Sequence, residues 1–127
     1  GEGKILMVRQ YRNALERYTL EIPAGAVDYV EEPKELCAAR ELEEETGYRA
    51  GRLEWLMNVN TTVAFCNEFI GIYVAEELIP ARQHLDEDEF LNVEEHELEE
   101  LLSMVYEGKI TDAKTAAALL AYRVKYR

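Results

Sequence analysis

The chain has 127 residues, 48% of them apolar, and its Asp and Glu outnumber Lys and Arg by 26 to 14, for a formal charge of −12. That length suits one domain able to bury roughly two-thirds of the surface its unfolded form exposes, and that charge repels a phosphate backbone, which argues against nucleic acid as a partner. No run approaches the roughly eighteen apolar residues of a membrane span, and no basic stretch leads into a hydrophobic one at the start, so a cytoplasmic protein that avoids membranes is expected.

In chain order, residues 4–10 form an apolar, partly β-branched run that predicts a mostly buried strand. A second strand over 19–22 ends at Pro23-Ala24-Gly25, where proline removes a ladder donor and glycine permits a turn. After a loop, Pro33 suits the first position of a helix that runs to Thr46 and stops at Gly47. Strand-like runs follow at 53–60, 68–75 and 90–95, and then two helices. Ala113, Ala116, Ala117, Leu120, Ala121 and Val124 recur at helical spacing and mark the last helix, which begins after Thr111 or Asp112. Strands around one central helix, with helices added at the end, predict an α/β (α+β) sandwich with a mixed sheet.

The first helix carries the chemistry. Glu41, Glu44 and Glu45 stand at i, i+3 and i+4, so their carboxylates share one face. Like charges at that spacing cost roughly 0.2–0.5 kcal/mol per pair, and acids near a helix C-terminus also oppose its dipole. A hard divalent cation suits that deficit, because Mg²⁺ takes oxygen ligands and joins carboxylates to substrate phosphates. Arg40 precedes the cluster and is placed to orient a carboxylate, and the carbonyls of Pro23-Ala24-Gly25 lie one loop upstream. A solvated acidic face is the competing reading of such a run. Cys37 and Cys66 form no metal-binding pattern and are expected to be reduced and buried, and His84 and His96, the only histidines, receive no role.

Gly25, Arg40, Glu41, Leu42, Glu44, Glu45 and Gly47 together resemble the Nudix box, G-x5-E-x7-R-E-U-x-E-E-x-G-U, with Tyr48 in its final hydrophobic place. The spacing from Gly25 to Arg40 is one residue longer than the pattern, so the early glutamate is either Glu31, counted forward, or Glu32, counted back. Outside the box, residues 8–12, 20–25 and 108–113 are similar to the ADP-ribose pyrophosphatase branch of that family, so the resemblance covers nearly the whole chain as one Nudix domain, 1–127, with an α/β/α sandwich. Members of this branch usually carry additional N-terminal strands before the first core strand, and this sequence, which starts just before that strand, is expected to lack them.

The resemblance implies Mg²⁺, with Mn²⁺ able to substitute, held by the Ala24 carbonyl, Glu41, Glu45 and Glu89, with Glu44 as a further ligand close by. It implies that Glu87, in the acidic run 86–89, accepts the proton of the attacking water, with Arg40 and Glu44 supporting catalysis. Arg12, Gly25 and Glu68 would bind substrate, Glu68 closing a loop, 63–68, whose other residues differ from the branch pattern. The implied reaction is hydrolysis of a nucleoside diphosphate sugar, foremost ADP-ribose to AMP and ribose 5-phosphate, by a homodimer. Another nucleotide such as NADH or an oxidised nucleotide, and a non-catalytic nucleotide-sugar sensor, remain the alternatives.

Overall fold

The computed structural model describes residues 4–23, 33–60, 69–81 and 91–126. Its elements in chain order are β1 (Lys4–Arg12), β2 (Arg17–Glu21), α1 (Lys34–Thr46), β3 (Tyr48–Arg49), β4 (Arg52–Asn60), β5 (Phe69–Glu76), β6 (Ile79–Pro80), β7 (Leu91–Glu97), α2 (Leu98–Tyr106) and α3 (Ala113–Tyr126).

β1 is the central strand of a sheet ordered β2-β1-β7, with Val8 opposite Glu21 on one side and Val93 on the other. Successive side chains on a strand face opposite ways, yet Met7 and Val8 are both fully buried, so this strand is covered on both faces. Met7 enters the main core with Leu20, Leu98, Leu101, Leu102, Ile110 and Leu119, which joins β1 and β2 to α2 and α3. Val8 lies outside that cluster, and α1 packs against β1, β4, β5 and β7. Helices therefore cover both sides of the strands, as the layered α/β reading expects. β4 and β5 make a second antiparallel pair, and the pairings among the described residues are all antiparallel; the parallel pairing of a mixed sheet is not among them.

One detail departs from the sequence reading and a second adds to it. Pro33 is the residue before the helix rather than its first residue: its ψ of 138° is extended, and α1 begins at Lys34. In α3 the buried residues are Thr115, Ala118 and Leu119, while Leu120 and Val124 are exposed. An alanine-rich helix offers more than one stripe of small side chains, and here polar bonding selects the stripe. The Thr115 hydroxyl donates to Asp112 Oδ2 at 2.6 Å and accepts the Ile22 N–H at 3.1 Å, which turns Thr115 inward.

The short pair β3–β6 is a feature that sequence periodicity did not reveal. Beside it, the Gly51 N–H is shared between the carbonyls of Glu76 and Glu77, at 3.1 and 3.0 Å. A Cβ at Gly51 would lie 2.5 Å from the Glu77 carbonyl oxygen, and backbone cannot swing aside as a side-chain tip can. Gly51→Ala is expected to lower stability by roughly 1–2 kcal/mol, read from urea unfolding; an unchanged midpoint would contradict this packing. Among the described residues, no helix is long and apolar enough to cross a membrane.

Candidate active site on the acidic helix

α1 is fixed at both ends by backbone chemistry. Glu35 in its first turn favours the dipole, and Gly47, at φ 78°, closes the helix with its N–H on the Glu43 carbonyl at 2.9 Å. No basic residue occupies the last turn. Glu43, off the shared face, pairs instead with Arg49 at 2.9 Å.

Arg40 does what its place before the cluster suggested. Its Nη1 donates to Glu41 Oε1 at 2.9 Å and to Glu44 Oε2 at 3.1 Å, so one guanidinium holds two of the three carboxylates. Its Nη2 lies 3.7 Å from the Sγ of Cys37, which is buried as expected and forms no disulfide among the described residues. Glu45 is the buried member of the set, at 3% exposure. Burial pushes the Glu41 carboxyl above its ordinary pKa; Arg40 opposes this, Glu44 adds to it, and a hydrogen bond with Glu45 favours the charged form. Carboxylate oxygens on one helical face are hard ligands, so the donor set suits a divalent ion.

Among the described residues, no three acidic, histidine or cysteine side chains converge closely enough to hold a metal. The groups expected to complete the site, Ala24, Glu87 and Glu89, lie outside the described residues, as do Gly25, Glu31, Glu32, Cys66, Glu68 and His84. An open hollow of about 410 Å³ lined by Leu36, Ala39, Arg40, Glu43, Glu44, Arg49 and Ala50 takes in Arg40 and Glu44 but neither Glu41 nor Glu45, so it is not the centre of the carboxylate cluster. His96 sits between Glu94 and Glu100, at 2.8 and 2.9 Å, and has no contact with that cluster.

Arg12 is engaged in a network that the sequence did not disclose. Its Nε and Nη2 donate to the two oxygens of Glu21, both at 2.8 Å. Glu21 is 3% exposed and also accepts from the Thr19 hydroxyl at 2.6 Å and Lys114 Nζ at 3.0 Å. Lys114 reaches on to Asp112 at 2.9 Å. Burial alone pushes the Glu21 carboxyl up, but the bonds from Arg12, Thr19 and Lys114 outweigh it and hold the group at about 2. The Arg12 guanidinium is held above its ordinary value by Glu21 first, against its own desolvation, with the charges of Asp112 and Glu45 adding to the effect.

The chain belongs to the NUDIX domain family, which it matches over residues 1–119. It is 46% identical over 126 residues to the ADP-ribose pyrophosphatase of Bacillus subtilis (strain 168), covering 98% of this chain and 68% of that protein. Against the methanol dehydrogenase activator of Bacillus methanolicus it is 45% identical over 120 residues, covering 93% and 64%. A solved crystal structure of an ADP compounds hydrolase superposes with a TM-score of 0.86 at 26% identity, covering 98% of this chain and 66% of the other. The fold is accordingly the Nudix fold, and the chain spans roughly two-thirds of the length of these relatives.

Proposed function

We infer that this chain is a Nudix pyrophosphohydrolase domain that cleaves the diphosphate of ADP-ribose, giving AMP and ribose 5-phosphate. The observation that carries the reading is the buried Glu45 beside Glu41 on a helix whose Arg40 already holds Glu41 and Glu44. The 46% identity to an ADP-ribose pyrophosphatase supports the choice of substrate.

In this reading Glu41, Glu45, Glu89 and the Ala24 carbonyl would hold Mg²⁺, or Mn²⁺ in its place, with Glu44 alongside. When bound, the cation supplies positive charge against the diphosphate and a lowered pKa for water. Arg40 keeps Glu41 and Glu44 in position, and Glu87 accepts the proton of the attacking water. Arg12, Glu68 and the backbone at Gly25 orient the nucleotide, so that positioning and charge do most of the catalysis. The protein acts as a homodimer in the cytoplasm, apart from nucleic acid and membranes.

A second reading is a module that regulates a partner enzyme, favoured by the 45% identity to a methanol dehydrogenase activator. A panel of ADP-ribose, other nucleoside diphosphate sugars, NADH and nucleoside triphosphates, each with Mg²⁺ and followed by product analysis, separates the two. The expected result is hydrolysis with ADP-ribose giving the highest kcat/KM; no turnover of any member would overturn the enzymatic reading.

A further inference from the structure

Glu21 cannot meet a substrate itself, being 3% exposed, yet it accepts four hydrogen bonds from three side chains. Its grip on Arg12 is bidentate, and it takes only the Nε–Nη2 edge of the guanidinium. A guanidinium has five N–H donors, so the Nη1 amino group remains for a second acceptor, and the Arg12 side chain is 45% exposed. Lys114 shares the same carboxylate and reaches Asp112 as well, so two cations and two carboxylates form one network around Glu21.

We propose that Glu21 is a positioning residue that fixes the Arg12 guanidinium for a phosphate of the substrate. The proposal rests on the reading of the site as one for a nucleoside diphosphate. An unpinned arginine loses rotamer freedom each time it grips a phosphate, whereas one already held by a carboxylate has lost it on folding. Thr19 adds rigidity from the same strand. The Ile22 N–H, bonded to Thr115, fixes the chain directly after Glu21.

The test is a double-mutant cycle of the wild-type chain, Glu21→Gln, Arg12→Ala and the double variant. KM and kcat for ADP-ribose are measured with Mg²⁺, and binding of ADP-ribose with Ca²⁺ by calorimetry. Glu21→Gln is expected to raise KM and Kd about tenfold while kcat moves less than about threefold, the signature of lost binding. The double variant should be no weaker than Arg12→Ala, because Glu21 acts through Arg12. Wild-type binding by Glu21→Gln, or losses that multiply in the double variant, would overturn the proposal while leaving the hydrolase reading intact. A wild-type chain that neither binds nor hydrolyses ADP-ribose would overturn both. If Glu21→Gln does not fold, Arg12→Lys carries the test: it keeps the charge but loses the planar fork, and should raise KM about as much as Arg12→Ala. An unchanged KM in that variant would overturn the proposal.

Discussion

Glu45→Gln is expected to lower kcat for ADP-ribose by about a hundredfold or more without loss of the fold, since removing one preorganised electrostatic group from an active site costs roughly 10²–10³ in rate. The amide has nearly the shape of the carboxyl and so suits the buried place that Glu45 occupies on α1. Without metal, Glu45 and Glu41 are like-charged neighbours on one helical face, a spacing that costs roughly 0.2–0.5 kcal/mol. Neutralising one of them therefore leaves the unloaded protein about as stable as before. With Mg²⁺ the comparison reverses: a ligand that binds only the folded chain raises its melting temperature by mass action, and the variant should lose most of that rise. Steady-state kinetics at saturating Mg²⁺ and paired thermal melts with and without the ion read both effects. A variant with the parent's kcat, or with the parent's metal-induced shift, would remove Glu45 from the site.

The acidic helix was legible because every signal for it is local. Pro33 and Gly47 bracket it, and the i, i+3, i+4 spacing of Glu41, Glu44 and Glu45 sets their common face without help from the rest of the chain. Arg40 was placed correctly for the same reason, since its two acceptors lie one and four residues away. Glu21 was not legible. Its partner Lys114 is 93 residues distant, and a strand in which Thr19, Leu20 and Glu21 are all buried gives no alternation to mark one side chain as functional. The buried face of α3 was not legible on related grounds. Alanines at helical spacing define a helix but not which side is covered, and the inward turn of Thr115 depends on Asp112 and on the distant Ile22. Glu87 and Glu89 stand on register in the sequence alone, because they fall outside the described residues.

Acid should expose the Glu21 network directly. The folded-state pKa of Glu21 is held at about 2, below an ordinary value of 4.5, so the group binds its proton more readily in the unfolded chain. Stability from Glu21 is therefore fully present above pH 4.5 and is lost as pH falls from 4.5 toward 2. A shift of that size corresponds to on the order of 3 kcal/mol. Glu94 has the same sign, lowered chiefly by its bond from Arg9, while Glu41 has the opposite one, its raised pKa making protonation favour the folded state. The acid limb of the parent alone thus mixes several groups, and the difference between parent and Glu21→Gln isolates one. At pH 7 the variant should be less stable by roughly 3 kcal/mol, the low end for removing one member of a buried ion pair because Arg12 still reaches water. The gap should close steadily below pH 4.5, as Glu21 takes up its proton, and be nearly gone near pH 2. Urea unfolding of both proteins at pH 7, 4.5, 3 and 2 reads that gap. Stability curves that run parallel down to pH 2 would mean that Glu21 does not carry its charge within the network.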